Sequence, residues 1–230
     1  AGPGRIRPAV NGADLTALQL SLALAAATVA LLLPLALLLG HWLATTRWRG
    51  RALAEALLLL PLLLPPTVVG LALLIGMGPD SVIGRGWQAI TGGQLVFSFA
   101  GILVASVLVN LPLMVQPAQR AFEAVGDDLR AAAASCGLSP LRAFTRVELP
   151  LAWPGLATGA VLAFAHTLGE FGVVLMVGGA IPGETATLSL AIYDRVQAFD
   201  MAGAARLALL LLGISLIAIT LLFLLGRKRG

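Results

Sequence analysis

Two ionisable residues, His166 and Glu170, stand four positions apart in an otherwise apolar run of this 230-residue sequence. Residues four apart share one face of a helix, so the two side chains can pair. An ionisable residue inside a long apolar segment is a functional candidate by default. Because the Glu170 carboxylate would repel an anionic ligand, we expect it to have a structural role. That role is pairing with His166, capping of backbone amides, or contact with a second copy of the chain.

Other residues suited to catalysis are sparse. His41 is the other histidine and Cys136 the single cysteine, so the sequence predicts neither a His/Cys metal site nor an intramolecular disulfide. Lys228 is the one lysine, and Arg229 follows it, so the chain lacks the Gly-Lys-Ser/Thr end of a phosphate-binding P-loop. We therefore expect no cofactor and no ATP-hydrolysing site in this chain.

Long runs without charge surround these residues. The sequence is 59% apolar and 11% charged, against roughly 45–50% and 25% for soluble domains. A helix needs about 20 apolar residues to cross the hydrocarbon core of a bilayer. Five runs reach or approach that length, and only Glu170 interrupts one of them: 15–40, 56–79, 97–119, 149–183 and 207–226. The pattern predicts an all-α, polytopic membrane bundle of about five transmembrane helices.

The basic residues are distributed unevenly between the two sides of such a bundle. Ten fall on one side: Arg47, Arg49, Arg51, Arg120, Arg130, Arg142, Arg146, Arg227, Lys228 and Arg229. Five fall on the other: Arg5, Arg7, Arg85, Arg195 and Arg206. The positive-inside rule places the richer side in the cytoplasm. We therefore expect an outer tail at 1–14, one membrane domain at 15–226 and a cytoplasmic tail at 227–230, and no binding of nucleic acid.

Helix-breaking residues interrupt three of the runs. Pro65–Pro66 divides the second run, Pro112 the third, and Gly169 with Gly172 the fourth. Broken helices are tolerated at membrane depth where they line a cavity or are buried in protein. The breaks either flank a gate or are kinks that fit the packing. The gate hypothesis covers Pro65, Pro66, Thr67, Pro112, Gly169, Glu170, Gly172 and Thr185. The amphipathic segment 184–199 is predicted to be a re-entrant or surface helix.

The connection 117–150 on the basic side is rich in helix-forming residues. A helix is predicted over 118–136, with Gly137 as its C-terminal stop. Ser139 suits an N-cap and Pro140 a first helical position. A short second helix over 141–147 should follow, ended by Leu149–Pro150. A short helix held across the membrane surface suits docking into a groove of a partner, although an ordinary connector has the same pattern.

This connection resembles the cytoplasmic signature of ABC importer permeases. The family pattern is Glu-Ala-Ala, three residues, Gly, nine residues and Ile-x-Leu-Pro. The sequence matches at Ala132, Ala133, Gly137 and Leu149–Pro150, but Ala131 replaces Glu and Val147 replaces Ile. The resemblance implies that the loop docks on an ATP-binding subunit. The implied docking residues are Arg130, Ala131, Ala132, Gly137, Ser139, Pro140, Leu141, Arg142, Phe144, Leu149 and Pro150.

Four further segments are similar to the molybdate and sulfate branch of that family. They are Leu-Leu-Pro-Pro-Thr-Val-Val-Gly at 63–70, Leu-Pro-Leu-Met-Val at 111–115, Leu-Gly-Glu-Phe-Gly at 168–172 and Ile-Pro-Gly-Glu-Thr-Ala-Thr at 181–187. The last segment is more like the molybdate permeases in particular. The resemblance implies molybdate import with tungstate on the same route, and sulfate is the alternative substrate.

The same resemblance implies the surroundings of the chain. One chain of five spans encloses no obvious pore, so we expect a homodimer, bound to two copies of an ATP-binding ABC subunit, in the lipid of a bacterial inner membrane. An extracytoplasmic molybdate-binding protein would deliver the anion. Two other classes stay open at this point: a polytopic membrane enzyme, for which the sequence shows no catalytic cluster, and a structural or assembly subunit of another membrane complex.

Overall fold

The computed structural model describes residues 12–227, apart from the side chains of residues 222, 223 and 225–227. Every regular element in that range is helical. A π-helical turn, Phe144–Glu148, joins α7 to α8. The helices are α1 (Gly12–Thr45), α2 (Arg51–Leu63), α3 (Pro66–Met77), α4 (Val82–Thr91), α5 (Phe99–Ala124), α6 (Asp127–Ser135), α7 (Pro140–Ala143), α8 (Leu149–Gly169), α9 (Gly172–Gly178), α10 (Leu188–Gln197) and α11 (Met201–Arg227).

Four helical segments of the described chain are long and apolar enough to cross a membrane. They are α1, α5, the continuous segment Pro140–Gly169, and α11 over Met201–Leu221. The pair α2 and α3 passes the same test together but is bent by 105°, so it is a candidate fifth span. Large apolar side chains such as Leu212 are 63% exposed, as expected for surfaces that face lipid. The prediction of an all-α polytopic bundle is confirmed.

Helices α1, α5 and α8 form the centre of the bundle. Leu32, Met114 and Leu156, one from each helix, are fully buried in one cluster. Small residues allow the helices to approach closely, as is common in membrane bundles. A Cβ added at Gly40 would lie 2.9 Å from the Cβ of Ala118.

The shorter helices pack around this centre. Helix α3 packs on α9, and α9 also contacts α5. Helix α10 packs on α11, which in turn contacts α8. The 184–199 segment, predicted to be a re-entrant or surface helix, contains α10. The sequence analysis missed α4, although Ser81 gives the usual signal of a helix start, since its Oγ accepts a hydrogen bond from the Gly84 N–H at 2.8 Å.

Three predicted helix boundaries were wrong. Helix α5 runs unbroken through Pro112, because its packing against α1 and α8 outweighs the loss of one backbone hydrogen bond. The helix predicted over 118–136 is divided at Gly126, whose φ of 72° is left-handed. The predicted stop at Leu149–Pro150 is absent, because the π turn widens the helix just ahead of the proline ring and lets it continue.

The two predicted tails fall largely outside the described residues. Residues 1–11 and 228–230 are not described, so Arg5, Arg7, Lys228 and Arg229 lie outside the structure's range. Helix α1 begins at Gly12, within the predicted outer tail. The boundaries of the domain therefore stay a prediction.

Candidate docking surface and translocation path

The loop between α5 and α8 is shaped by one glycine. Gly137 has a φ of 77°, which only glycine adopts readily. The Leu138 N–H bonds to the Ala133 carbonyl at 3.2 Å, and the Gly137 N–H to the Ala134 carbonyl at 2.9 Å. This pair of bonds is the Schellman motif that ends a helix. The predicted stop at Gly137 is therefore confirmed, and it turns the chain from α6 into α7.

Helix α7 starts at Pro140 with Ser139 at the N-cap position, as predicted, but the Ser139 side chain makes no capping bond. Leu141 is 72% exposed. We define the docking face as the exposed residues of the predicted docking set that lie in α6, in α7 or at the N-cap of α7; they are Ala131, Ala132, Ser139, Pro140, Leu141 and Arg142. An apolar side chain with this exposure at the tip of a loop is suited to burial against another protein.

Two of the predicted docking residues turn away from this face. The Arg130 Nε donates to the Glu148 Oε2 at 3.0 Å, and the Phe144 ring packs against the rings of His41 and Phe122. Leu149 is half-buried. A cavity of about 540 Å³ lies beneath the loop, lined by residues that include Leu38, Leu138 and Ala143. The predicted set thus divides into an outer face and an inner support.

The break in the fourth span is organised by Glu170. Helix α8 ends at Gly169, Glu170 is extended, and α9 begins at Gly172. The Val173 N–H donates to the Glu170 Oε1 at 3.0 Å, and the Ser189 hydroxyl donates to the Glu170 carbonyl at 2.7 Å. The carboxylate therefore caps a backbone amide at the break, which is one of the structural contacts expected from the sequence.

His166 contacts Glu170 on one side and Asn110 on the other. Its Nε2 lies 4.0 Å from the Glu170 Oε2, too far for a direct hydrogen bond. Its Nδ1 lies 3.1 Å from the Asn110 Oδ1, while the Asn110 Nδ2 donates to the Ser106 carbonyl at 2.7 Å. Asn110, which is fully buried, was not predicted as a functional residue. An amide side chain inside an apolar run was the signal available in the sequence.

Two of the breaks in the bundle touch each other. A Cβ added at Gly172 would lie 2.7 Å from the Cβ of Pro66, so the α2–α3 bend and the α8–α9 break meet at this point. Pro65 and Thr67 are exposed beside it. Pro112 is buried inside α5, and the Thr185 hydroxyl is engaged within its own loop, donating to the Gly178 carbonyl at 2.6 Å.

A second charged cluster, which sequence reasoning also missed, joins α2 to α5. Arg51 forms ion pairs with Glu55, at 2.8 Å, and with Glu123. The Gln119 amide donates to the Glu55 Oε1 at 2.7 Å and to the Glu123 Oε1 at 3.1 Å. The four-residue spacing of Arg51 with Glu55 was the available signal. The cluster fixes the start of α2 against the end of α5.

A third charged cluster joins α1 to α10 and α11. Arg195 donates to both carboxylate oxygens of Asp14, at 2.8 and 2.6 Å, and to the Asp200 Oδ2 at 2.8 Å. The Gly203 N–H donates to the Asp200 Oδ1 at 2.9 Å. This backbone bond and the Arg195 guanidinium lower the pKa of Asp200 below its ordinary value. The bonds that Arg195 donates to Asp14 and Asp200 raise the pKa of Arg195.

The sequence matches a described protein family along most of its length. The match covers residues 33–229, and the family is the "Binding-protein-dependent transport system inner membrane component". The chain belongs to this family. It is therefore a multi-pass permease subunit of the inner membrane, and the predicted family resemblance is confirmed.

Named relatives support the same assignment. The chain is 48% identical over 195 residues to the "Molybdenum transport system permease protein ModB" of Azotobacter vinelandii, covering 85% of this chain and 86% of that one. It is 35% identical over 181 residues to the "Sulfate transport system permease protein CysT" of Escherichia coli, covering 78% and 65% respectively.

The fold of this permease is also similar to that of a solved transporter. A bacterial alginate ABC transporter, solved "in complex with alginate pentasaccharide-bound periplasmic protein", superposes with a TM-score of 0.77 at 17% identity. The superposition covers 95% of this chain and 80% of that one. At this identity the likeness concerns the fold alone, and the fold is that of ABC importer permeases.

Proposed function

We propose that this permease moves molybdate into the cytoplasm by alternating access, driven by a separate ATP-binding subunit. The observation that supports molybdate as the substrate is the 48% identity to a molybdenum permease along most of both chains, compared with 35% identity to a sulfate permease. Tungstate, nearly equal to molybdate in size and charge, would use the same route. Sulfate is the alternative substrate, and a structural subunit of another membrane complex is the alternative of another class.

The docking face is the proposed contact with the ATPase. Leu141 is 72% exposed at the loop tip, and an ATPase groove that covered it would remove that apolar surface from water. Arg142 beside it offers a charge to the partner. Because Ala131 stands where the family pattern has Glu, we expect apolar burial rather than a charge at that position to hold the partner. The positive-inside pattern favours placing this loop and the C-terminus in the cytoplasm and the N-terminus outside.

The translocation path is proposed to run past the contact between Pro66 and Gly172. A dianion leaving water meets a desolvation cost on the order of 20 kcal/mol per charge in the idealised low-dielectric limit, so its path must be a hydrated cavity. Two helix breaks that meet at one point allow small backbone shifts to open or close such a cavity. Thr67 offers an exposed hydroxyl beside the contact. Pro65, Gly169 and Glu170 flank the contact, whereas Pro112 and Thr185 would support the path from buried positions.

The proposal includes further partners. Two copies of the chain would face each other across the cavity, each bound to one ATP-binding subunit. An extracytoplasmic molybdate-binding protein would deliver the anion, as a periplasmic protein accompanies the structurally similar alginate transporter. ATP-driven closure of the two ATPases would move the docking loops and switch the cavity between its two openings.

The decisive test combines capture and uptake. The purified chain should capture the ATP-binding subunit, and the complex, reconstituted with the binding protein in vesicles, should take up molybdate and tungstate in preference to sulfate at equal concentration. Preferential sulfate uptake would favour the alternative substrate. Failure to capture any ATPase would favour the structural-subunit alternative.

A matched pair of variants tests the docking face. Leu141→Glu should abolish capture, because a carboxylate would be desolvated in the contact. Ile90→Glu, on α4, is the control, since Ile90 is also an exposed apolar residue, at 86%, but lies outside the docking loop. Equal capture by the two variants would contradict the proposed docking face.

A further inference from the structure

Behind the docking face lies a closed set of contacts around Glu148. The Glu148 carboxylate is buried, with 7% of the residue exposed. Its Oε2 accepts a hydrogen bond from the Arg130 Nε at 3.0 Å and lies 3.2 Å from the His41 Nε2. The Phe122 and Phe144 rings complete the set. We call these five residues, His41, Phe122, Arg130, Phe144 and Glu148, the loop clamp.

Arg130 is the branching point of the loop clamp. Besides its bond to Glu148, its Nη2 donates to the Phe122 carbonyl at 2.7 Å, and its Nη1 donates to the Asp127 Oδ1 at 3.3 Å. The guanidinium holds its donors in a rigid planar fork. One side chain of α6 is thereby bonded at once to the last turn of α5 and to the residue that precedes α8.

The aromatic rings extend the clamp to a third helix. The His41 ring, on α1, packs edge-on against Phe122 at 5.2 Å and against Phe144 at 5.1 Å between centroids. Phe122 and Phe144 stack on each other at 6.0 Å. Edge-on and stacked aromatic pairs stabilise beyond their buried area. The clamp therefore links α6 and the π turn to α1 and α5, and the π turn continues directly into α8, the third central helix.

We propose that the loop clamp transmits motion of the docking face into the bundle, and that Arg130 is a positioning residue of transport rather than a contact of the ATPase. This inference rests on the proposed function. Its basis is geometric: the docking face points outward, whereas the Arg130 side chain is 20% exposed and bonded inward to two separate elements. While these bonds hold, a displacement of α6 or of the π turn that follows α7 is passed on to α5 and α8.

If the clamp transmits motion, loss of Arg130 has a consequence that loss of a merely stabilising residue would not have. Without Arg130 the ATPase would still bind, because the docking face is intact, but its motion would reach the spans only weakly. Uptake per ATP hydrolysed should therefore fall, while capture of the ATPase is kept. The docking loop should also become more mobile relative to the bundle, since the buried Glu148 loses its strongest partner.

The test uses Arg130→Ala and Glu148→Ala in the reconstituted complex, with Arg49→Ala as the matched control, since Arg49 is exposed and lies outside the clamp. We expect wild-type capture of the ATPase, and a fall of about tenfold or more in molybdate uptake per ATP hydrolysed. A spin label on Cys136, the one cysteine and an exposed one, should show increased mobility. The control should keep both wild-type coupling and wild-type mobility.

Two results would overturn the inference. One is wild-type uptake per ATP in the clamp variants. The other is loss of ATPase capture to the level of Leu141→Glu, which would indicate that Arg130 contacts the ATPase directly. If Arg130→Ala does not accumulate, Arg130→Lys is used instead, because lysine keeps the positive charge but lacks the planar donor group of the guanidinium. Reduced coupling with full ATPase capture in this variant would support the clamp, and wild-type coupling would contradict it. The wild-type chain tests the proposed function separately: if it captured no ATPase or took up no molybdate, the proposed function itself would fail, whereas wild-type coupling in the clamp variants would contradict the clamp alone.

Discussion

The Val173 N–H donates to the Glu170 Oε1 at 3.0 Å, so the one carboxylate within the fourth apolar run caps the helix that follows its break. The carboxylate is buried, with 8% of the residue exposed. A buried amide that loses its acceptor costs about 1–3 kcal/mol. The position of Glu170 is thus explained by the backbone, without any direct contact with an anion.

Two substitutions of Glu170 distinguish its role as a helix cap from the role of its negative charge. Glu170→Gln keeps an oxygen that can accept the Val173 N–H, so we expect assembly and uptake near the wild-type level. Glu170→Ala removes the acceptor and should lower Tm by several degrees, at about 2–4 °C per kcal/mol for a chain of this size. Thermal unfolding of the purified variants and vesicle uptake are the measurements. Loss of uptake in a stable Glu170→Gln variant would show that the charge itself is required.

The contact between Pro66 and Gly172 leads to a second prediction. Gly172→Ala would place a Cβ 2.7 Å from the Pro66 Cβ, and overpacking of this kind costs about 1–3 kcal/mol. We expect a lower Tm and slower uptake, because the two helix breaks would be pushed apart. Gly213→Ala, on α11, is the control, since a Cβ there meets no atom within 4 Å and the residue lies outside the proposed path. Identical uptake by the two variants would separate this contact from the translocation path.

Local backbone features were the part of this fold that the sequence could predict. The apolar runs, the stop at Gly137 and the break after Gly169 each depend on residues close together in the chain, whose periodicity and turn chemistry are visible directly. The continuation of the helix past Pro150 was missed, because a π turn that accommodates a proline has no signature in the residue types around it.

Pairing between distant residues was the part that the sequence could not predict. His41 and Glu148 are 107 positions apart, and Asp14 and Arg195 are 181 apart. Which charges meet is decided by how the helices cross, and that depends on packing of small and large side chains along whole helices. For the same reason the inward partners of Arg130 were not visible from its position in the motif, which predicts a docking contact.

The Asp200 carboxylate supports a prediction about pH. The Gly203 N–H and the Arg195 guanidinium lower the pKa of Asp200 in the folded state. The ionised carboxylate therefore contributes fully to stability above its unfolded-state pKa, near 3.8. This contribution is lost as the pH falls through the lower, folded-state pKa. Asp200→Asn should therefore be less stable than the wild type by a constant margin between about pH 5 and pH 7. That margin should shrink below about pH 4.

Thermal unfolding of both proteins in the same detergent, measured across that pH range, checks this expectation. Asparagine keeps an oxygen for the Gly203 N–H but replaces the oxygen that faces Arg195, so the comparison measures the loss of the ion pair with Arg195. A margin that stayed constant down to about pH 3 would contradict a role for the ionised carboxylate in stability.

The left-handed conformation of Gly137 gives the last prediction. A Cβ at this position meets no atom within 4 Å, so any substitution acts through the backbone alone. Gly137→Val should cost about 1–2 kcal/mol or more, because a β-branched residue tolerates a φ of 77° poorly, whereas Gly137→Asn adds a side chain of similar size that tolerates this region. The strain would be relieved by unwinding the end of α6, which would misplace α7.

We therefore expect Gly137→Val to weaken ATPase capture by about 5–30-fold and Gly137→Asn to leave it almost unchanged. Titration of the immobilised variants with the ATPase measures the difference, and equal affinities would mean that the turn at Gly137 does not position the docking face.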